Sequence, residues 1–344
     1  MNAEHAAALS LDRATSPARA GWTRQLGRRA VVVGVPAVYL AALGVVIASW
    51  GLPVARDQLF MWLGLGMAAF SVAAWRSWGG MVLEWLPFFG LLVAYDFLRG
   101  AVSVAPERAH VAAQVALDKA IAGGEVPTVW LQQHLWSAGH IHWYDYGVWA
   151  VYMTHFFAVW VVAAVLWRVS RQRFRRYAVL TIVLTLGAFL TYWLYPAQPP
   201  WLGGGDASLP PVDRIVPLVW GHLGVPTAQS AYENGSLVNT VAAMPSLHAA
   251  YPMMLLLFFW SAGLPARIGL AAYTFAMGFT LVYGGEHFVL DIVAGWAMAG
   301  AAYALVELSA RSLGPVWQAR RPAASGRSGY SPRAWPRPSR SGPG

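Results

Sequence analysis

Two short segments carry the residues best suited to chemistry. Met244-Pro-Ser-Leu-His248 and His287-Phe-Val-Leu-Asp291 each place a histidine where an apolar run begins, and the second adds a carboxylate four residues later. Because a helix turns once in about 3.6 residues, His287 and Asp291 are expected on one helix face, within reach of each other. An imidazole oriented by a carboxylate, with a second imidazole nearby, is a minimal set of groups for attack on phosphorus. Whether the two histidines meet depends on the elements that carry them.

The composition predicts a membrane protein. Of the 344 residues 57% are hydrophobic, only 11% are charged and 19 are tryptophans, a profile typical of polytopic membrane proteins. Cysteine is absent, which excludes disulfides, thiolate nucleophiles and cysteine-ligated metals. The net charge of +9 comes almost entirely from arginines in the termini and short loops, so it indicates membrane topology rather than nucleic-acid binding.

Eight apolar runs are long enough, or nearly so, to cross a bilayer core about 30 Å thick as helices. The predicted fold class is therefore all-α, a polytopic membrane bundle of about eight helices, with six as the lower bound. The runs cover Ala30–Trp50, Gln58–Trp75, Met81–Leu98, Gly147–Trp167, Tyr177–Tyr195, Leu247–Gly263, Arg267–Tyr283 and His287–Leu308.

The arginines test this topology independently. With eight spans, the arginines of the N-terminal tail, Arg76, the cluster Arg168–Arg176, Arg267 and the arginines after span eight all fall on one side, which the positive-inside rule makes cytoplasmic. Both termini are then cytoplasmic, and the long connections 100–146 and 196–245 are extracytoplasmic. The two motif histidines begin spans six and eight at this outer side, so we expect them at one membrane depth and the active site there.

We divide the chain into a basic cytoplasmic tail at 1–29, a transmembrane catalytic domain at 30–311 and a disordered tail rich in Pro, Arg, Ser and Gly at 312–344. The first apolar run is long enough to remain as a span and shows no obvious cleavage site, so 1–29 is not predicted as a signal peptide. The outer connections are expected to contain an amphipathic helix near Glu107–Ile121 and, after Tyr195, a shaped loop at the membrane surface.

The two histidine motifs resemble those of the type-2 phosphatidic acid phosphatase superfamily, and more narrowly those of its inositol phosphorylceramide synthase-like branch, which has bacterial members. That branch has a Pro-Ser-Leu-His motif, a His-x-x-x-Asp motif and a Pro-Pro-Trp in the preceding loop, matched here by Pro199-Pro200-Trp201. The resemblance extends from about Tyr95 to Ala310. It includes segments similar to the bacterial subgroup, namely Tyr95–Gly100, Pro127–Gln132 and Trp143–Asp145 with His155.

The resemblance implies a six-helix phosphatase-like core and a covalent mechanism that needs no metal ion or other cofactor. His287 would attack phosphorus, Asp291 would hold its tautomer and His248 would protonate the departing alkoxide. The intermediate would pass to water in a phosphatase, or to an alcohol such as inositol in a phosphotransferase, and the motifs do not distinguish the two. The substrate would be a lipid phosphate or phospholipid of the membrane, with no nucleic acid as partner; no protein partner is indicated.

The chain departs from the wider superfamily where phosphate is held. Many members have an arginine six residues before the nucleophile, a position that is Leu281 here, and the only lysine, Lys119, lies in an unrelated context. Arg214 in the second outer connection is the first candidate for a replacement cation, and Arg99 at the outer end of span three is the second. A solvated loop charge or an interfacial anchor is an equal alternative for each.

Three further residues are predicted to bind substrate. His155 lies about two helical turns into span four and matches a histidine of the synthase branch, with Asp145 as its companion. Ser246 lies at the start of span six, where the free N–H groups and partial positive charge of a helix N-terminus favour a bound phosphate.

Two other function classes remain open at this point. A haem protein could use His155 and other helical histidines, although no helix carries a repeated pair. A lipid-binding or transport protein without catalysis would account for the missing arginine, although the three catalytic candidates are intact. The remaining histidines lack a recognisable metal-ligand spacing, so a loop cluster is predicted for His134, His140 and His142.

Overall fold

The computed structural model describes residues 30–49, 56–72, 78–102, 109–203, 209–233 and 239–319. The predicted tail at 1–29 and all but the first residues of the tail at 312–344 lie outside this part of the chain. Within it, the regular elements are helices, and β-type pairing is limited to isolated bridges such as Ala197 with Ala242. The all-α prediction is confirmed.

The described residues form twelve α-helices and one 3-10 turn at Trp260–Ala262. In chain order the helices are α1 (Ala30–Ser49), α2 (Arg56–Phe70), α3 (Trp78–Val102), α4 (Ala112–Ile121), α5 (Pro127–Leu135), α6 (Trp143–Val169), α7 (Arg171–Leu194), α8 (Ile215–His222), α9 (Pro226–Glu233), α10 (Leu247–Phe258), α11 (Leu264–Tyr283) and α12 (Val289–Ala319).

Five of these helices are long and apolar enough to cross a membrane: α1, α6, α7, α11 and the Val289–Ala310 part of α12. Two shorter apolar segments, Val82–Leu91 within α3 and the whole of α10, occupy the third and sixth predicted spans. Helix α2 falls in the second predicted span. Each of the eight apolar runs thus contains a helix, and the polytopic bundle is confirmed.

Some boundaries differ from the expected ones. Helix α6 begins four residues before Gly147, because Asp145 in its first turn accepts a hydrogen bond from the His142 amide at 2.7 Å and so caps an earlier start. The outer connections hold four short helices, α4, α5, α8 and α9, of which only α4 was expected. Helix α12 continues past the predicted boundary at 311, since apolar residues keep helical spacing up to Trp317.

The core is organised around α10, which lies between α11 and α12 and also touches α6 and α7. The main buried cluster joins α3, α6, α7, α10 and α12 and includes Phe88, Phe174, Tyr177, Leu184 and Met254. Large apolar side chains such as Leu190 remain exposed on the outer faces of the helices. In lipid such exposure is expected, because the acyl chains replace water around them.

Helices α10 and α12 approach closely at Gly295. A Cβ atom on Gly295 would lie only 2.4 Å from the backbone oxygen of Ser246 and 3.5 Å from the amide nitrogen of Ala250. In the same region the Ser246 amide donates to the backbone oxygen of Asp291 at 2.9 Å. The starts of the two helices that carry the motif residues are therefore joined backbone to backbone.

Replacing Gly295 with alanine should force α10 and α12 apart. Overpacking of this kind costs about 1–3 kcal/mol, so we expect Gly295→Ala to melt several degrees below the wild-type protein in detergent, with reduced activity. Gly300→Ala is the matched control, because a Cβ on Gly300 of the same helix meets nothing within 4 Å. Equal melting temperatures for the two variants would contradict a tight contact at Gly295.

Candidate active site

The structure brings His248, His287 and Asp291 together. The ring centroids of the two histidines are 5.6 Å apart. Nδ1 of His287 lies 3.5 Å from Oδ2 of Asp291, a distance typical of an ion pair and slightly longer than a good hydrogen bond. Asp291 is fully buried and His287 is 7% exposed, so the pair is shielded from bulk solvent. The arrangement is the one that the two motifs predict.

His287 reaches Asp291 without lying on the same helix, which corrects the expected shared helix face. Helix α12 begins at Val289, two residues after His287. Asp291 lies in the first turn of α12, and its Oδ2 turns back to accept a hydrogen bond from the Phe288 amide at 3.0 Å. A first-turn carboxylate that faces the residues just before its helix therefore replaces the expected pairing across one helical turn.

The turn between α11 and α12 presents His287. The amides of Glu286 and His287 both donate to the backbone oxygen of Leu281, at 3.0 and 3.2 Å. Gly285 has φ of +77°, a conformation that favours glycine. A Cβ there would lie 2.6 Å from the backbone oxygen of Asp213 in the second outer connection. The turn is consequently held against that connection.

Helices α6 and α7 position His248 from the other side. Ser246 precedes α10, and its hydroxyl accepts the Ala249 amide at 3.3 Å. The hydroxyl of Tyr192 in α7 donates to the backbone oxygen of Pro245 at 2.7 Å. The imidazole of His248 stacks on His155, with ring centroids 3.7 Å apart, and on Tyr152 at 4.8 Å. Both stacking partners belong to α6, so this helix fixes the ring plane of His248.

A cavity of about 100 Å³ opens beside His155, His248 and His287, between the N-terminal parts of α6 and α10 and the C-terminal part of α7. Aromatic rings form much of its wall: Tyr152, Phe189, Tyr192, Trp201 and Tyr251. Among the described residues that line it, Glu286 is the single carboxylate, and none is a lysine or arginine. Buried Nδ1 of His155 and Nε2 of His248 have no hydrogen-bond partner in the described part of the chain. Both nitrogens therefore keep unsatisfied hydrogen-bonding capacity in residues that line the cavity.

Arg214 lies next to this cavity but is bound to Glu286. Its Nη2 contacts both carboxylate oxygens, at 3.0 and 3.1 Å, and its Nε contacts Oε1 at 3.2 Å. Nη1 donates to the backbone oxygen of Tyr232 at 2.9 Å, and the guanidinium stacks 4.4 Å above the ring of Trp201. The first candidate cation is thus close to the site but neutralised by Glu286. Glu286 is not among the residues predicted from sequence, where its only signal is its position directly before His287.

The other predicted substrate-binding residues are placed differently. His155 lines the cavity. Asp145 does not: it is buried at the start of α6, where Oδ1 accepts the hydroxyl of Tyr283 at 2.7 Å. Ser246 does not line the cavity either, and caps α10 instead. Arg99 belongs to α3, but its side chain lies outside the described part of the structure.

Gln132 of α5 holds the outer side of the α11–α12 turn, a role that the sequence analysis missed. Its Nε2 donates to the backbone oxygens of Asp213, at 2.8 Å, and Tyr283, at 2.9 Å. Its Oε1 accepts the Asp213 amide at 3.0 Å. The partners lie 81 and 151 residues away along the chain. No local pattern could have indicated them, although Gln132 ends one of the segments on which the family resemblance rests.

A family model described as the PAP2 superfamily matches residues 123–305, which include the three catalytic candidates, His155 and Arg214. The chain belongs to the PAP2 superfamily. It is also similar to phosphoinositol dihydroceramide synthase of Bacteroides thetaiotaomicron, with 27% identity over 231 residues, which are 61% of this chain and 71% of the relative. No solved structure gives a significant match.

Membership of the PAP2 superfamily confirms the resemblance drawn from the two histidine motifs. Together with the apolar helices, it makes this chain an integral, multi-pass membrane enzyme of the lipid phosphatase or phosphotransferase class. It favours that class over the haem-binding alternative and over a transport protein without catalysis.

Removing the amide of Gln132 should loosen the turn that presents His287. Gln132→Ala leaves two backbone oxygens and one amide without their partner, and each unsatisfied buried group costs about 1–3 kcal/mol. We expect a lower melting temperature in detergent and a fall in phospholipid turnover per folded molecule. Gln133→Ala is the control, because Gln133 is its exposed neighbour on the same helix. A Gln132→Ala variant as stable and active as Gln133→Ala would contradict this role.

Proposed function

We propose that this protein transfers a phosphoryl-containing group of a membrane lipid through a phosphohistidine formed on His287. The observation that carries the proposal is the shared cavity of His248 and His287, with the buried carboxylate of Asp291 behind His287. A nucleophile, a residue that orients it and an acid are thereby adjacent to one enclosed space.

The proposed steps follow from the ring geometry. Because Nδ1 of His287 faces Asp291, the proton belongs on Nδ1, and Nε2 carries the lone pair that attacks phosphorus. As the Nε2–P bond forms, the P–O bond to the lipid oxygen breaks, and His248 donates a proton to that oxygen. Water or an acceptor alcohol then attacks phosphorus, gives its proton to His248 and releases Nε2. Asp291 stabilises the imidazolium that exists between the two steps.

We place this chemistry on the extracytoplasmic face. The cavity lies at the ends of α10 and α12 that meet the long outer connections, whereas the arginine-rich junction of α6 and α7 lies at the opposite ends of the spans. There Glu84 binds Arg171 at 3.0 Å and Arg175 at 2.8 Å, and Glu307 of α12 binds Arg176. The positive-inside rule assigns that arginine-rich end to the cytoplasm.

The charges around the cavity favour a phosphodiester over a phosphomonoester as substrate. Glu286 already takes up the charge of Arg214, so a bound phosphate meets a carboxylate and, among the described residues of the lining, no free cation. A monoester carries close to two negative charges at neutral pH and a diester carries one, so the monoester has the larger electrostatic penalty on leaving water. With the similarity to phosphoinositol dihydroceramide synthase, this favours a phosphotransferase, with a phosphoinositol group as the leading candidate for the transferred unit.

Loss of the nucleophile or of its orienting carboxylate should stop turnover. We expect His287→Ala and Asp291→Asn each to lower the turnover of a phospholipid by about a thousandfold or more, because members of such a unit act together. With a lipid labelled at phosphorus, the wild-type protein should carry acid-labile, alkali-stable label, and His287→Ala should carry none. His140→Ala, an exposed loop histidine, serves as the control. Near-normal turnover by His287→Ala would rule out the phosphohistidine.

The charge argument is tested with a matched pair of lipids. Phosphatidylinositol and phosphatidate with the same acyl chains should differ by at least about tenfold in kcat/KM, in favour of the diester. Glu286→Gln should narrow the ratio of the two kcat/KM values, because it removes the carboxylate and frees Arg214. Glu233→Gln, at an exposed residue at the end of α9, should not. Release of free phosphate would indicate a phosphatase, and a new phosphodiester formed with an added alcohol would indicate a transferase. Preference for phosphatidate would contradict the charge argument.

A further inference from the structure

Asp118 is a buried carboxylate on α4, a short helix of the first outer connection. Its two oxygens each accept one backbone amide at the start of α12: Oδ2 accepts from Val289 at 2.9 Å and Oδ1 from Leu290 at 3.1 Å. The side chain is fully buried, and the partners are 171 and 172 residues away in the chain. The pKa of this carboxyl is raised above its usual value, mainly by burial and to a smaller extent by the charge of Asp291. The hydrogen bonds from Val289 and Leu290 oppose this shift.

The first amides of α12 need a hydrogen-bond acceptor from outside the helix, and Asp118 provides it. The first N–H groups of a helix lack partners within the helix and are usually capped by a polar side chain just before it. Here the preceding residue is Phe288, whose side chain has no oxygen that could accept these amides. Asp291 satisfies the amide of Phe288, and Asp118 satisfies the next two. The cap that the local sequence lacks thus comes from another part of the chain.

Backbone hydrogen bonds also connect the start of α4 to the segment that precedes His248. The amide of His110, just before α4, donates to Pro196 O at 2.8 Å, and its oxygen accepts the Gln198 amide at 2.9 Å. Between them, Ala197 forms backbone hydrogen bonds of 2.9 and 3.0 Å with Val241 and Ala243, which lead into α10. A continuous backbone path therefore joins the segment before α10 to the helix that caps α12.

We propose that Asp118 is a positioning residue, which fixes the start of α12 and thereby sets the His287–Asp291 pair relative to His248; this role rests on the function proposed above. Asp118 is not among the residues that line the cavity, and it acts through the amides of Val289 and Leu290. Its negative charge also lies at the helix end that carries a partial positive charge, which favours the observed placement.

The test compares Asp118→Asn and Asp118→Ala with Glu125→Gln, which removes an exposed carboxylate from the loop that follows α4. Asparagine keeps one oxygen that can accept an amide, whereas alanine keeps none. For the phospholipid that the wild-type protein turns over best, we expect kcat to fall about tenfold in Asp118→Asn and further in Asp118→Ala. KM should stay within about twofold, because the cavity lining is unchanged.

Hydrogen–deuterium exchange provides a measurement that does not need activity. The peptide that contains Phe288, Val289 and Leu290 should exchange faster in both Asp118 variants, whereas peptides of α7 should match Glu125→Gln. The proposal is wrong if Asp118→Ala behaves like Glu125→Gln in both measurements, or if exchange rises throughout the chain while kcat per folded molecule is unchanged. A wild-type protein inactive on every lipid would contradict the proposed function instead, and local exchange at the start of α12 would then decide whether Asp118 holds the pair.

Discussion

The arrangement of this site depends on one constraint: the turn between α11 and α12 is buried, so each of its backbone polar groups needs a partner. An unsatisfied N–H or C=O group in such surroundings destabilises the fold by more free energy than most single side-chain contacts contribute. The backbone oxygen of Leu281 accepts two amides, and the side chain of Gln132 donates to the backbone oxygen of Tyr283. The carboxylates of Asp291 and Asp118 accept the three amides that follow His287. These hydrogen bonds fix the backbone on both sides of His287 and so restrict the position of its ring. The outer helices α4 and α5 supply part of this set, and they therefore support the chemistry without lining the cavity.

The same logic relates the two histidines to each other. Their separation is set mainly by backbone contacts between α10 and α12, at Gly295 and through the hydrogen bond from the Ser246 amide to Asp291. Packed backbones deform less easily than side chains, so the distance between the proposed nucleophile His287 and the proposed acid His248 is defined before any substrate binds. The stacking of His155 and Tyr152 on His248 then restricts the one ring that the backbone alone leaves free to turn.

Local sequence patterns predicted the features that depend on local physics. Apolar runs indicated the spans and short motifs indicated the catalytic candidates, because hydrophobic length and residue spacing are visible in the chain. Other interactions join residues between 72 and 172 positions apart in the chain, so no local sequence pattern could predict them. They are the ion pair of Arg214 with Glu286 and the hydrogen bonds from Gln132 and to Asp118. Asp145 shows the reverse case. Asp145 was predicted as the companion of His155 because both belong to the segments that resemble the bacterial synthases, yet ten residues separate them by about 15 Å along the axis of α6.

None of the described residues that line the cavity is an arginine, which is consistent with the other charges of the site. Where many superfamily members are expected to hold phosphate with an arginine, this chain has Leu281, and Arg214 is balanced by Glu286, the residue directly before His287. A second uncompensated charge in this small, largely aromatic cavity would be costly on either side of the reaction. Three polar groups of the lining residues have no hydrogen-bond partner among the described residues: Nδ1 of His155, Nε2 of His248 and the indole N–H of Trp201. In place of a cation, we expect such groups to contact the phosphoryl oxygens, an arrangement that suits the single charge of a phosphodiester better than the double charge of a phosphomonoester.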